Sequence, residues 1–112
     1  MNNTKKLRTY KTQNGVIPFT KWLNSLNDHM ARIQIHRRMD RLILGHYGDY
    51  KIINYGLKEL RLHIGPGYRI YIKDVTNEII ILLCGGNKST QHNDIEKATN
   101  YWLDLLETDD EN

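Results

Sequence analysis

Two runs of alternating residues, separated by a Gly-Pro-Gly segment, place the strongest constraint on how this chain folds. Lys58–Ile64 and Tyr68–Lys73 alternate between polar and apolar side chains, and Gly65–Gly67 lies between them. Alternation with period two is typical of β-strands, and a short glycine-containing segment between two such runs is typical of a hairpin. The sequence therefore predicts an antiparallel hairpin at this point of the chain.

Two further strands are predicted outside the hairpin. Leu7–Thr12 alternates, and Glu78–Cys84 is a run of β-branched residues and leucine of the kind found in strands buried on both faces. Cys84, at the end of this run, is the one cysteine of the chain, so it suits a buried thiol and cannot form an internal disulfide. The glycine-led segment that follows, residues 85–90, is interpreted as a loop.

Apolar residues at helical spacing predict three helices. Pro18 suits a first helical turn, and a short helix is expected from there to Asn27. A second helix is expected from Asp28 to Leu44, with Asp28 or Asn27 as its N-cap and Gly45 as its left-handed stop. A third is expected to begin between residues 90 and 94, with Asn93 and Glu96 as a capping box. The order β-α-α-β-β-β-α predicts an α+β fold.

The size and charge of the chain limit the class of protein to which it can belong. Its 112 residues are enough for one domain, expected over residues 1–106, followed by an acidic tail at 107–112 that we expect to fray. Residues 1–103 carry 16 basic against 8 acidic side chains, which favours a polyanionic or acidic partner. The longest unbroken apolar stretch is too short to span a bilayer, and no secretory signal is evident, so a cytoplasmic protein is expected.

A three-residue hairpin loop would set the polar side chains of the two strands opposite one another. With Ile64 opposite Tyr68, one face of the hairpin is apolar apart from a phenol. The other face then carries these predicted pairs: Glu59 with Lys73, Arg61 with Tyr71, and His63 with Arg69. Solvent exposure alone would also explain a polar face, but these residue types suit chemistry on a phosphate.

RNA cleavage without a metal uses the 2′-hydroxyl as nucleophile and needs a base, cations for the phosphorane, and an acid for the leaving 5′-oxygen. Arginines can bind phosphate oxygens with two parallel hydrogen bonds, and histidine exchanges protons near neutral pH. The candidate catalytic residues are Arg61, His63, Arg69, Tyr71 and His92. The candidate RNA- or phosphate-binding residues are Lys88, in the glycine-led loop, and Arg37, Arg38 and Arg41, expected on the solvated side of the second helix. No metal or cofactor is predicted, because no acidic pair joins the histidines at ligand spacing.

At these residues the chain resembles the RelE/ParE superfamily of toxins, and within it the phage-related HigB-like addiction module killer proteins. Five segments carry the resemblance in the same order: IPFTKWL at 17–23, RMDRLILG at 38–45 running into YGD at 47–49, LKELRLH at 57–63, GPGYRIY at 65–71, and LLCGGNKSTQ at 82–91, with Asp94, Ile95 and Ala98 beyond. The resemblance implies a RelE-like fold with two N-terminal helices packed on a small antiparallel sheet and a C-terminal helix.

The resemblance also implies a function. Such toxins enter the ribosomal A site and cleave mRNA there as endoribonucleases (mRNA interferases), and an antitoxin with a helix-turn-helix DNA-binding domain holds them inactive. The arginine that follows Gly-Tyr in the family corresponds to Arg69, and the loop lysine to Lys88. Several branches use a tyrosine or an acidic residue near the C-terminus, where this chain offers His92, Asp94 and Tyr101.

Two alternatives to the nuclease stay open at the level of sequence. The superfamily also contains ParE-like inhibitors of DNA gyrase with the same fold, and fold alone does not decide the target. The chain could also be a non-catalytic basic module that acts with its antitoxin, in a complex that could be a heterotetramer.

Overall fold

The computed structural model describes residues 4–110, in which three helices pack against a five-stranded mixed sheet. The strands, in chain order, are β1 (Lys6–Thr9), β2 (Tyr50–Ile52), β3 (Lys58–Leu62), β4 (Tyr68–Asp74) and β5 (Ile79–Asn87). The helices are α1 (Pro18–Ser25), α2 (His29–Ile43) and α3 (Gln91–Asp110), and two 3-10 turns lie at Asn54–Gly56 and Lys88–Thr90. The predicted α+β class is confirmed.

The sheet has the strand order β1-β5-β4-β3-β2. The last four strands in this order pair antiparallel, as expected, but β1 pairs parallel with β5, so the prediction of a purely antiparallel sheet is wrong. A parallel pair needs a long connection that crosses the sheet, and α1 and α2 lie in the chain between these two strands. β2 was not anticipated, because three residues are too few to show a period.

Local signals in the sequence explain where α1 and α2 begin and end. Pro18 is at the first position of α1, where its missing N–H costs nothing. The Asp28 carboxylate caps α2 by accepting a hydrogen bond of 3.0 Å from the backbone N–H of Ala31. Gly45 has a φ of 85° after the end of α2, as expected of a helix stop. α1 ends at Ser25, two residues before the predicted end, because Leu26 is extended.

Buried side chains form two clusters that contain residues from opposite faces of the sheet. The first joins α1 and α2 to the even-numbered residues of the hairpin and includes Phe19, Ile35, Leu42, Leu60 and Ile70. The second joins α3 to the odd-numbered residue Tyr71 and to Leu57, Leu83, Cys84 and Ala98. The apolar side of α3, formed by Ile95, Ala98, Trp102 and Leu105, packs in this second cluster.

The register of the hairpin differs from the prediction by two residues. Leu62 pairs with Tyr68, Arg61 with Arg69, and Glu59 with Tyr71, so the three predicted polar pairs are wrong. The loop has five residues, 63–67, because a tight turn closed by a 2.9 Å hydrogen bond from the Gly67 N–H to the Ile64 carbonyl forms inside it. A shift of two residues keeps every side chain on its predicted face.

β5 continues through Gly85 and Gly86, which the sequence placed in a loop. A β-carbon on Gly85 would lie 2.2 Å from the ring of Trp22, and one on Gly86 would lie 1.7 Å from the Asp94 carboxylate. These glycines therefore allow α1 and α3 to approach the strand closely from its two faces. The capping box at this end is formed by Asn87 and Thr90 rather than by Asn93 and Glu96.

α3 extends past Leu106 to Asp110, so the chain is helical over four residues where we expected fraying. Acidic side chains are compatible with a helix, and the Thr108 hydroxyl donates to the Asp104 carbonyl within it. Residues 111 and 112 of the predicted tail lie outside the described residues. Of the helices in residues 4–110, none combines the length and the apolar character that crossing a membrane requires.

The close approach at Gly85 makes a first prediction. We expect Gly85→Ala to destabilise the protein by about 1–3 kcal/mol, because the added methyl group collides with the Trp22 ring. Urea unfolding measures the effect. The double variant Gly85→Ala/Trp22→Ala should be more stable than the sum of the two single changes predicts, and simple additivity would contradict the contact.

Candidate active site

A buried carboxylate, Glu59, organises the polar face of the hairpin beside the start of α3. Its residue is completely buried. Its oxygens accept hydrogen bonds from Arg61 Nε at 3.0 Å, from the Tyr71 hydroxyl at 3.1 Å and from Gln91 Nε2 at 2.8 Å. Arg69 Nε lies 3.8 Å from the second carboxylate oxygen and completes the ion-pair cluster. One carboxylate thus connects β3, β4 and α3.

These partners keep Glu59 ionised. Burial acts to raise the pKa of this carboxyl group, but the hydrogen bonds from Gln91, Arg61 and Tyr71 and the charge of Arg61 outweigh burial and hold the pKa below its ordinary value. The same contact has the opposite effect on Tyr71, where burial and the neighbouring carboxylate both raise the pKa of the phenol. Glu59 is therefore a permanent anion at neutral pH, and Tyr71 is a neutral hydrogen-bond donor.

Two guanidinium groups meet on this face. Arg61 and Arg69 are directly opposite in the β3–β4 register, so their side chains lie on the same face of the sheet. Like charges placed directly opposite each other destabilise a sheet, and Glu59 offsets that repulsion. The Arg61 side chain is 30% exposed and that of Arg69 is 12% exposed. Part of each side chain therefore remains open to solvent, on a surface where an anion can bind.

Lys88 adds a third cation next to Arg69. Arg69 Nη1 donates a 2.9 Å hydrogen bond to the carbonyl of Gly67, and a β-carbon on Gly67 would lie 3.4 Å from Lys88 Cβ. The Lys88 N–H also donates to the Pro66 carbonyl at 3.4 Å. Among the side chains described in residues 4–108, Arg69 Nε is the buried polar atom without a hydrogen-bond partner. The hairpin loop and the 3-10 turn before α3 thus meet at Arg69.

A histidine–carboxylate pair lies at the other side of Arg61. The Arg61 N–H donates to the Asp49 carbonyl at 3.0 Å, which extends the β2–β3 pairing by one residue. Asp49 contacts His63 Nε2 through its carboxylate, and both side chains are exposed. The hydrogen bond from His63 lowers the pKa of Asp49, and the charges of Arg61 and Arg38 lower it further, with desolvation opposing them. Lys51, opposite Glu59 in the register, adds a cation to the same face.

The structure corrects two of the predicted site residues. Tyr71 is completely buried under α3 and is not on an exposed face. Arg38 was expected on the solvated side of α2, but it is buried. Its guanidinium donates to the carbonyls of Tyr47, Asp49 and Arg61 at 2.6–3.0 Å. Arg38 thus provides hydrogen-bond donors for backbone carbonyls where the β2–β3 edge passes α2. A sequence pattern cannot show such a contact.

The remaining predicted residues lie at three further places. Arg37 and Arg41 are exposed on α2, and Arg41 lines a shallow pocket together with Gln34, Arg61 and His63. His92 is exposed on the first turn of α3, in a separate depression beside Asn54. Asp94 is buried and accepts a hydrogen bond from Thr90, and Tyr101 is stacked on Tyr10 with ring centroids 4.8 Å apart. None of these brings a proton-transfer group to the arginine pair.

Glu59, Asp49, Lys51 and Gln91 were missed as site residues. Glu59 was assigned to Lys73 because the assumed register set them opposite each other, whereas Lys73 donates to the Tyr55 carbonyl. No local signal marks this burial, because Lys58 and Leu60 flank Glu59 in the sequence and the contact that covers it comes from Gln91 on α3. Within the described residues, no group of three or more His, Cys, Asp or Glu side chains is arranged to hold a metal ion.

The fold and site define this chain as a small α+β protein with a carboxylate-supported arginine pair on its sheet. No family model matches it. A Haemophilus influenzae protein described as uncharacterized is 45% identical to it over 82 residues, which cover 73% of this chain and 83% of that protein. The chain belongs to the same family as that H. influenzae protein.

The buried carboxylate makes a second prediction. Glu59→Gln should destabilise the protein by about 3–5 kcal/mol at neutral pH, because the change removes the one negative charge between Arg61 and Arg69. Urea unfolding as a function of pH measures this. A carboxyl group whose pKa is lowered by folding stabilises the protein above its unfolded pKa, and this contribution is lost as the pH falls through the folded value.

The difference between wild type and Glu59→Gln should therefore be full at neutral pH and should shrink in acid. The same change at an exposed glutamate, Glu78→Gln, serves as the control and should change the free energy of unfolding little at either pH. A difference between wild type and Glu59→Gln that stays constant from neutral to strongly acidic pH would show that the charge of Glu59 is not what stabilises the site.

Proposed function

We propose that this protein is a RelE-like toxin of a type II toxin–antitoxin system, a metal-independent endoribonuclease that cuts mRNA on the ribosome, inhibits translation and arrests growth. The observation that carries the proposal is the arginine pair, Arg61 and Arg69, which Glu59 holds on one face of the sheet next to the exposed His63–Asp49 pair. The five sequence segments that resemble the RelE/ParE superfamily support it, and the α+β architecture is compatible with a RelE-like fold.

The proposed reaction is transfer of a phosphate ester within the RNA. The 2′-oxygen forms a bond to the neighbouring phosphorus, and the bond from phosphorus to the 5′-oxygen breaks, which leaves a 2′,3′-cyclic phosphate and a 5′-hydroxyl. Arg61 and Arg69 bind the non-bridging oxygens and stabilise the extra negative charge of the phosphorane. Their orientation is fixed in advance by Glu59, so little reorganisation is needed when that charge develops.

His63 is the proton-transfer residue in this proposal. It takes the proton of the 2′-hydroxyl, and Asp49 orients the imidazole and stabilises its protonated form. The leaving 5′-oxygen receives a proton from water at this exposed surface, and the imidazolium returns its proton to the hydroxide that remains. Lys88 and Lys51 bind phosphates on either side of the arginine pair. Tyr71 has no contact with substrate in this scheme, because it is buried and donates to Glu59.

The partners follow from the same proposal. The ribosome presents the mRNA, and Arg37 and Arg41 on α2 bind ribosomal RNA or the acidic surface of a cognate helix-turn-helix antitoxin. The protein acts in the cytoplasm, where both partners are present, and the inactive toxin–antitoxin complex is a heterotetramer.

The direct test is to induce the protein in a bacterium without antitoxin and to map mRNA 5′ ends. Arg69→Lys keeps the charge but loses the planar guanidinium, so we expect cutting to fall by about 100-fold or more. Arg8→Lys, the same change at an exposed position on β1, is the control and should cut like wild type. Thermal unfolding of both purified variants separates loss of chemistry from loss of folding.

Each other result would contradict the nuclease. Growth arrest with intact mRNA and an SOS response would identify a gyrase inhibitor instead. Normal growth on induction of folded wild-type protein would identify a non-catalytic module. Equal cutting by wild type and folded Arg69→Lys would show that the arginine pair is not the site.

A further prediction concerns the histidine–carboxylate pair. His63→Ala should slow cleavage by about 100-fold or more, since a positioned proton-transfer group contributes that much. Asp49→Asn should slow it less, because the amide oxygen can still orient the imidazole but no longer offers it a negative charge. Single-turnover cleavage measures both effects. Cleavage by Asp49→Asn at the wild-type rate would remove Asp49 from the mechanism.

A further inference from the structure

Another cavity lies behind the 3-10 turn that carries Lys88, and the proposed mechanism does not use it. This α1–α3 pocket has a volume of about 530 Å³ and lies between α1 and α3 at the end of β5. Its size is within the range of about 300–1,000 Å³ found for small-molecule sites. The residues that give the pocket its character are Lys21 and Trp22 from α1, Lys97 and Tyr101 from α3, and Gly85 and Gly86 from β5.

Flat aromatic and glycine surfaces form much of this pocket. The Trp22 ring lies against Gly85, and the ring of Phe19 packs beside it with the ring centroids 5.9 Å apart. The Tyr101 ring is fixed in turn by stacking on Tyr10. Both rings are partly exposed, and both line the pocket. Walls of this kind suit a planar ring, which gains contact area without ordering flexible side chains.

The exposed charges of the pocket are positive. Lys21 and Lys97 are exposed on opposite walls, and neither forms an ion pair within the described residues. The acidic group that lines the pocket, Asp94, is buried over Gly86 and accepts a hydrogen bond from the Thr90 hydroxyl. A ligand therefore meets two free ammonium groups, and an anion is favoured.

The 3-10 turn at Lys88–Thr90 separates this pocket from the candidate active site. Asn87 and Thr90 line the pocket, whereas Lys88, between them in sequence, lies against Gly67 on the side of Arg69. A chain of phosphates that passes from Arg69 to Lys88 therefore arrives at the rim of the pocket. An aromatic pocket with free cations, beside a phosphate site, has the chemistry of a subsite for a nucleotide.

We propose that the α1–α3 pocket binds one nucleotide unit of an RNA whose neighbouring phosphate lies at Arg61 and Arg69. The base lies between the Trp22 and Tyr101 walls, and Lys21 and Lys97 bind its phosphate. This inference rests on the proposed function for the identity of the chain that enters, but the pocket's affinity for a nucleotide is measured without any cleavage.

The experiment titrates AMP, GMP, CMP and UMP, and then the four homopolymeric RNA tetranucleotides, into the full-length Trp102→Phe protein. Trp22 is then the one tryptophan, so its fluorescence reports the pocket. At least one mononucleotide should quench it. Lys21→Ala/Lys97→Ala should weaken that binding by about 10-fold or more, as expected when two charged hydrogen bonds to a phosphate are lost. Lys6→Ala/Arg8→Ala, with the same loss of charge on β1, should bind like the parent.

The tetranucleotides distinguish RNA from a free nucleotide. If the ligand is RNA, a tetranucleotide binds more tightly than the mononucleotide, and Arg61→Ala removes that gain while leaving mononucleotide binding unchanged. A tetranucleotide that binds no more tightly would identify a free nucleotide and overturn the RNA subsite. No quenching by any nucleotide, or equal affinity in Lys21→Ala/Lys97→Ala, would overturn the pocket itself. If the protein binds a mononucleotide but cuts no mRNA, the proposed nuclease function is wrong and the nucleotide-binding pocket is confirmed.

Discussion

The contact between the Glu59 carboxylate and its four partners is the interaction on which the rest of this structure depends. A carboxylate with no exposed surface is costly to bury unless it is fully compensated, and here β3, β4 and α3 each contribute to its compensation. Its position fixes Arg61 and Arg69, and it links the sheet to the first turn of α3 through Gln91. Stability and site geometry are therefore two consequences of one interaction.

The arrangement of Glu59, Arg61 and Arg69 is costly for the stability of the sheet. Two arginines directly opposite each other on a sheet, with a glutamate buried between them, are less favourable than three apolar residues of similar size would be. The sheet already has large apolar clusters on both of its faces, so it does not need this pair for its core. The arrangement keeps two guanidinium groups fixed and partly exposed, which suits the anion binding that we propose for this site.

Sequence periodicity predicted the parts of the fold that depend on which face a side chain occupies. The helices, the hairpin and the face shared by Arg61 and Arg69 all followed from spacing. The register of the hairpin did not follow from spacing, because the loop contains an inner turn that spacing cannot show. Glu59 was therefore assigned to the wrong partner. Burial by an element that is distant in the sequence could not be predicted from spacing either. Tyr71 is covered by α3, and Arg38 by the β2–β3 edge, which are contacts that alternation does not encode.

In the proposed mechanism, fixed guanidinium groups promote attack by the RNA's own 2′-hydroxyl. The most direct measurement compares two mRNAs in ribosomal complexes treated with purified protein, one of them with a single 2′-deoxynucleotide on the 5′ side of the mapped cut. We expect the all-ribose mRNA to be cut to a 5′-hydroxyl and a 2′,3′-cyclic phosphate, and the deoxy-substituted mRNA to stay intact at that position. Cutting of the deoxy-substituted mRNA, or products with a 5′-phosphate, would contradict the claim.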